Sequence, residues 1–200
     1  MTRRNVLRLL GACTLATLAA CNQAAPPHKF NAVDLTGATY ARQFDLPDFD
    51  GKTRTLADFK GKVVLVFFGY TQCPDACPTT MAELAQARKV LGADGSKLQV
   101  VFISLDPDRD TPALLKQYVT NFSSDFIALR GDATQVKAVA REFKIFYEKV
   151  PGATPQSYTI DHTAGVYVFD TQGRVRLFAR SGMEPGDLAA DAKALLAEPA

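Results

Sequence analysis

The hydrophobic positions of this chain fall into short blocks separated by turn residues. Val63 to Phe68 is an unbroken β-branched, aliphatic and aromatic run of strand length, and Leu98 to Leu105 is a second. Runs of this kind suit strands covered on both faces of a sheet. Phe126 to Leu129 predicts a third strand, and Phe44 to Lys52 predicts a short strand leading into a turn. Pro78 is expected to open a helix to about Leu91, because proline is favoured where the first N–H has no partner anyway. Thr111-Pro112 predicts an N-cap followed by a helix to about Phe122, and Thr134 to Phe143 predicts another. Lys144 to Ser157, broken by Pro151-Gly152 and Pro155, reads as irregular. Ala164 to Asp170 and Arg174 to Ala179 form a hairpin around Thr171-Gln172-Gly173, and Pro185 opens a last helix rich in Ala and Leu. Alternating strands and helices, then a hairpin and a helix, predict an α/β fold. Its centre is a mostly parallel sheet with flanking helices and a C-terminal antiparallel hairpin.

The N-terminus follows a different pattern. Arg3, Arg4 and Arg8 give a basic start, and the apolar stretch from Leu9 ends in Leu18-Ala19-Ala20-Cys21. This is the layout of a secretory signal, and its ending resembles a bacterial lipoprotein signal in which Cys21 is lipidated. The apolar stretch is too short for a membrane span, which needs roughly 20 residues. The expected organisation is a signal peptide over 1–20, a lipidated N-terminus and tether over 21–43, and a single domain over 44–200. His28 lies on the tether and reads as solvated. The expected location is the cell envelope, with the domain anchored to a membrane by lipid and facing the periplasm or the outside. Whether the membrane is the inner or the outer one is left open.

Charge narrows the partners. The chain carries 23 Lys+Arg against 21 Asp+Glu, and the three Arg of the leader exceed that basic excess, leaving 20 against 21. Near-neutral charge without a basic stripe argues against nucleic acid. Of the four cysteines, Cys13 falls in the leader and Cys21 in the lipidation site, so Cys73 and Cys77 remain as thiols. They follow the Val63–Phe68 strand directly. Outside the cytoplasm such a pair either forms a disulfide or holds metal. Cys77 is expected at the helix N-terminus, where the helix dipole favours a thiolate. A purely structural bridge is the weaker reading, because the loop is short and disulfide stabilisation shrinks with loop length.

The terminal hairpin and helix resemble the C-terminal half of the thioredoxin fold, and the cysteines stand where that fold keeps its redox pair. That fold usually has a cis-proline facing the pair, just before the hairpin. Here Asp161-His162 takes that place. Two thiols and an imidazole match soft copper ligation, and zinc accepts the same atoms. Asp161 is a candidate to orient His162. A peroxiredoxin-type peroxidase is disfavoured, because Thr71 stands only two residues before Cys73 and the upstream proline of that pattern is missing.

Three segments together resemble the Sco/SenC family of copper-binding thioredoxin-fold proteins. They are Phe-Gly-Tyr-Thr-Gln-Cys-Pro-Asp-Ala-Cys-Pro at 68–78, Ser-Leu-Asp-Pro-Asp-Arg-Asp-Thr-Pro at 104–112 and Tyr-Thr-Ile-Asp-His-Thr-Ala at 158–164. The resemblance implies copper, as Cu(I) or Cu(II), on Cys73, Cys77 and His162, with a fourth ligand unspecified. It implies a metallochaperone that helps mature the CuA centre of cytochrome c oxidase. The implied partner is the CuA-bearing subunit or another copper chaperone. The alternative is a membrane-tethered thiol-disulfide oxidoreductase that reduces the target's cysteines, with no catalytic residue beyond the redox pair. Asp106 and Asp110 are candidates to shape the site or a partner surface, and a plain turn with a helix cap explains them equally well.

Overall fold

A computed structural model describes residues 28–154 and 157–199. The expected signal peptide, with Cys13, and the lipidation residue Cys21 lie outside the described residues. In chain order the strands are β1 Val33–Asp34, β2 Leu46–Pro47, β3 Thr53–Arg54, β4 Val63–Gly69, β5 Leu98–Ser104, β6 Ile127–Leu129, β7 Tyr147–Val150, β8 Thr159–His162, β9 Gly165–Phe169 and β10 Val175–Arg180. The α-helices are α1 Ala76–Val90, α2 Pro112–Thr120, α3 Ala133–Glu142 and α4 Pro185–Ala197. The main sheet runs β1-β10-β9-β4-β5-β6, and β2-β3 and β7-β8 are separate ribbons. Strands β4, β5 and β6 are parallel, while β9 and β10 run antiparallel. This mixed sheet between helices is the thioredoxin-like α/β arrangement expected from the sequence, although two parallel and three antiparallel pairings replace the mostly parallel sheet expected.

Every residue of β4 is buried because successive side chains point to opposite faces and both faces are covered. Val63, Leu65 and Phe67 pack into one core with Met81 of α1, Leu115 of α2 and Leu188 of α4. Val64, Val66 and Phe68 pack into a second core with Val136, Val139 and Phe143 at α3. Gln99, a polar residue within β5, is buried with its amide donating to the Val100 and Asp125 carbonyls. That pairing removes the cost of burying it.

Three further expectations need correction. The folded body begins upstream of the expected boundary at residue 44, since β1 pairs with the edge of β10. Two exposed residues on a sheet edge leave no hydrophobic pattern to read. The segment expected to be irregular contains β7, whose residues past Tyr147 are exposed and so carry no alternation. Helix α1 begins at Ala76, which puts Pro78 inside its first turn rather than at its start. The first four N–H groups of a helix have no intrahelical partner, so the missing proline N–H costs nothing there.

Sheet register decides where the loops meet. The β4–β5 pairing runs from Val63↔Leu98 to Gly69↔Ser104, so both strands end at the same edge. Antiparallel pairing of β9 with β4, Phe67 opposite Val166, brings the start of β9 to that edge too. The Cys73 loop, the 105–111 loop and the segment ending in His162 therefore converge.

Candidate functional site

Cys77 lies in the first turn of α1 and is fully buried, while Cys73 on the preceding loop is half-buried, and both are free thiols. The Cys77 sulfur occupies space that only a glycine leaves open. A Cβ added at Gly69 would stand 2.8 Å from that sulfur and 2.9 Å from the Phe102 ring. Gly165, the first residue of β9, is likewise required by its neighbour. Its φ is +154° and an added Cβ would lie 2.2 Å from the Phe178 ring.

The Cys77 sulfur faces Nε2 of His162 at 3.7 Å. The other ring nitrogen, Nδ1, lies 3.0 Å from the Thr163 carbonyl. A carbonyl only accepts, so Nδ1 carries the proton and Nε2 presents its lone pair to Cys77. Burial pushes the imidazole pKa down, against the Thr163 carbonyl and the Asp161 charge that favour its cation. The ring is therefore a neutral donor. The edges of Phe67 and Tyr70 wall it in, each ring centroid 6.3 Å away.

The helix N-terminus acts on the other cysteine than expected. The Cys77 backbone N–H donates to the Cys73 sulfur at 3.4 Å. Burial opposes ionisation of Cys73, yet backbone hydrogen bonds from Asp75 and Cys77 outweigh it and hold this thiol below the ordinary cysteine value. Burial pushes the Cys77 thiol far up, and the charges of Cys73 and Asp110 add to that effect. The expectation of a dipole-favoured thiolate at Cys77 is thus corrected. Its amide points out of the helix end, while its side chain points into the core.

The acidic candidates sit one step back from the sulfurs. Asp110 is buried and accepts from the Ser104 hydroxyl at 2.6 Å and from the Thr71 amide, which pins the Cys73 loop to the end of β5. Burial raises its pKa, against those hydrogen bonds. Asp106 is fully buried and accepts from Arg109 and from the Tyr158 hydroxyl. Asp161 is exposed on β8, and the Thr163 carbonyl, not this carboxylate, holds Nδ1 of His162. His28 is exposed with its ring against Phe30. Sequence reasoning missed Tyr70, whose place within the quoted 68–78 motif was the available signal, and Gly69 beside it.

Cys73 and His162 open onto a cleft of about 410 Å³, lined also by Pro74, Thr80, Ile160 and Ser181. A larger cavity of about 570 Å³ opens between Phe44, Leu56 and Val139, and it is lined by no thiol or imidazole. Among the described residues, no three His, Cys, Asp or Glu side chains already form a metal cage. Cys77 and His162 face each other, and Cys73 keeps its sulfur on the Cys77 amide. A three-donor set needs that sulfur to turn toward the imidazole. The donors themselves suit a soft metal: two sulfurs and a neutral nitrogen whose lone pair faces Cys77.

A sequence profile of the SCO1/SenC family matches residues 33–197. A SCO2-like protein of Rickettsia felis is 37% identical over 132 residues, which is 66% of this chain and 64% of that protein. The match thus covers less than two thirds of that relative's length. The structure of Bradyrhizobium japonicum ScoI with copper bound is 39% identical, with a TM-score of 0.70, covering 76% of this chain and 97% of that one. Apo Sco1 of Thermus thermophilus is 34% identical, with a TM-score of 0.72, covering 84% and 97%.

Proposed function

The chain belongs to the SCO1/SenC family, and from that premise we propose that it is a copper metallochaperone that carries copper on Cys73, Cys77 and His162. Its task in this reading is to supply the CuA centre of cytochrome c oxidase, with the CuA-bearing subunit or another copper chaperone as partner. The Leu18-Ala19-Ala20-Cys21 ending supports a lipid anchor at Cys21 that keeps the domain on the outer side of a membrane. The observation that carries the proposal is the bare Nε2 of His162 against the Cys77 sulfur at 3.7 Å. Copper is cargo here. Binding releases the Cys77 proton, which burial otherwise keeps in place. A set completed by the movement of one half-exposed sulfur favours exchange with a partner over permanent retention.

The half-exposure and lowered pKa of Cys73 favour a second use of the same atoms. A Cys73 thiolate attacks a partner disulfide and expels one partner thiolate. Cys77, giving up its proton, then attacks the Cys73 sulfur and releases the second. The pair loses two electrons and the partner gains two.

An anaerobic Cu(I) competition titration of the reduced protein against its His162→Ala variant separates these uses. One copper bound tightly by the wild type, with a loss of about tenfold or more in the variant, about 1.4 kcal/mol, is the expected result. Equal, weak binding by both removes His162 from the ligand set and leaves the dithiol reductase.

A further inference from the structure

His162 closes β8, which pairs with β7 in a ribbon separate from the main sheet. A two-stranded ribbon alone is marginally stable in water. Its pose, and with it the distance from Nε2 to the Cys77 sulfur, depends on ties to the rest of the molecule.

One such tie lies at Tyr158, the residue before β8. Arg109, on the loop between β5 and α2, has a side chain only 12% exposed. Its Nε donates to one oxygen of buried Asp106, and its Nη1 donates to the Tyr158 carbonyl at 2.8 Å. The guanidinium carbon lies 3.5 Å from the centre of the Tyr158 ring. The Tyr158 hydroxyl returns to the other Asp106 oxygen at 2.6 Å. One carboxylate thus holds a guanidinium and a phenol, and the guanidinium holds the ring and the backbone of that same tyrosine. On its other side the guanidinium lies 5.8 Å from the Tyr70 ring, which in turn faces His162.

We infer that Arg109, locked by Asp106 and Tyr158, is the positioning residue that sets the His162 strand against the buried thiol. The task calls for a planar fork that donates in two directions while stacking on a ring, and a lysine has no such fork. The neighbouring Lys149–Asp108 pair is exposed at both ends and is a poor substitute. Its consequence for metal affinity rests on the copper reading above, whereas its consequence for the imidazole does not.

The test uses Arg109→Lys and Tyr158→Phe, each alone and combined with His162→Ala. In reduced, metal-free protein the ¹⁵N shifts of the His162 ring report which nitrogen carries the proton. Arg109→Lys is expected to move them from a single Nδ1–H form toward an averaged one, and Tyr158→Phe to move them the same way by less. Arg109→Lys is also expected to weaken Cu(I) binding roughly tenfold, with no further loss once His162 is Ala. Unchanged ring shifts in both variants overturn the inference. So does a copper loss of equal size in the His162→Ala background. If Arg109→Lys fails to fold, Tyr158→Phe, which removes one hydroxyl, decides by its ring shifts. If His162→Ala alone leaves copper affinity unchanged, the copper ligation falls, and the ring shifts still decide the positioning role.

Discussion

Cys73 and Cys77 share one motif and occupy opposite environments. A partner or reagent entering the cleft meets Cys73 first, and the amides at the start of α1 favour its thiolate. Cys77 is buried and held as a thiol. Alkylation of the reduced, metal-free protein followed by mass spectrometry is expected to modify Cys73 alone while the protein stays folded. Only the thiolate reacts. The rate therefore rises with pH and falls as acid protonates the sulfur, with a midpoint below that of an ordinary cysteine. Modification of both residues at one rate contradicts this assignment. The sequence placed both sulfurs at the end of a strand. Which one the helix activates depends on where α1 starts, and a proline two residues away from that start misplaced it.

At the scale of elements, small ribbons brace the sheet edges. The β2–β3 hairpin is organised by Asp48, which accepts from the Asp50 and Lys52 amides and from Arg54, each at 2.8–2.9 Å. An adjacent bond from the Arg130 amide to the Pro47 carbonyl ties the hairpin to the end of β6. Burial disfavours the Asp48 carboxylate, yet the Arg54 contact and the two amides outweigh it and lower its pKa. Its stabilisation is thus present above the unfolded carboxylate value of about 3.9 and is lost as pH falls through the lower folded value. Asp48→Asn is expected to cost about 1–3 kcal/mol near neutral pH. That cost should shrink in acid, where the wild-type carboxyl is protonated too. Urea unfolding of both proteins at several pH values checks it, and a pH-independent cost argues against the ionised form. The strand running into a turn over 44–52 was readable in the sequence; its β3 partner and the Asp48 hydrogen bonds were not, because a two-residue strand carries no hydrophobic period.

For the whole molecule, the segment around Asn31 and Ala32 meets the last helix. Buried Asp191 of α4 accepts from the Asn31 and Ala32 amides at 2.8–3.1 Å and from the Asn31 side chain. Replacing it with alanine strands those donors at the sheet edge. Asp191→Ala is expected to lower stability by about 1–3 kcal/mol and to speed amide exchange over residues 31–34 more than in β4 or β5. Exchange that rises equally everywhere argues that the contact does not dock this segment. The central strands, three of the four helices among the described residues near their expected limits, the cysteine pair and the histidine near it were legible in the sequence. Apolar blocks and rare residue types are local signals that survive without coordinates. Their assembly was not legible. Parallel register puts the ends of β4 and β5 side by side, antiparallel pairing of β9 delivers His162 to the same edge, and backbone hydrogen bonds on Cys73 against burial of Cys77 shift the two thiols in opposite directions. The sequence by itself determined which atoms are available for chemistry and which strands carry them. Only the tertiary structure decided which atoms face each other and in what protonation state, because distance and desolvation arise from residues far apart in the chain.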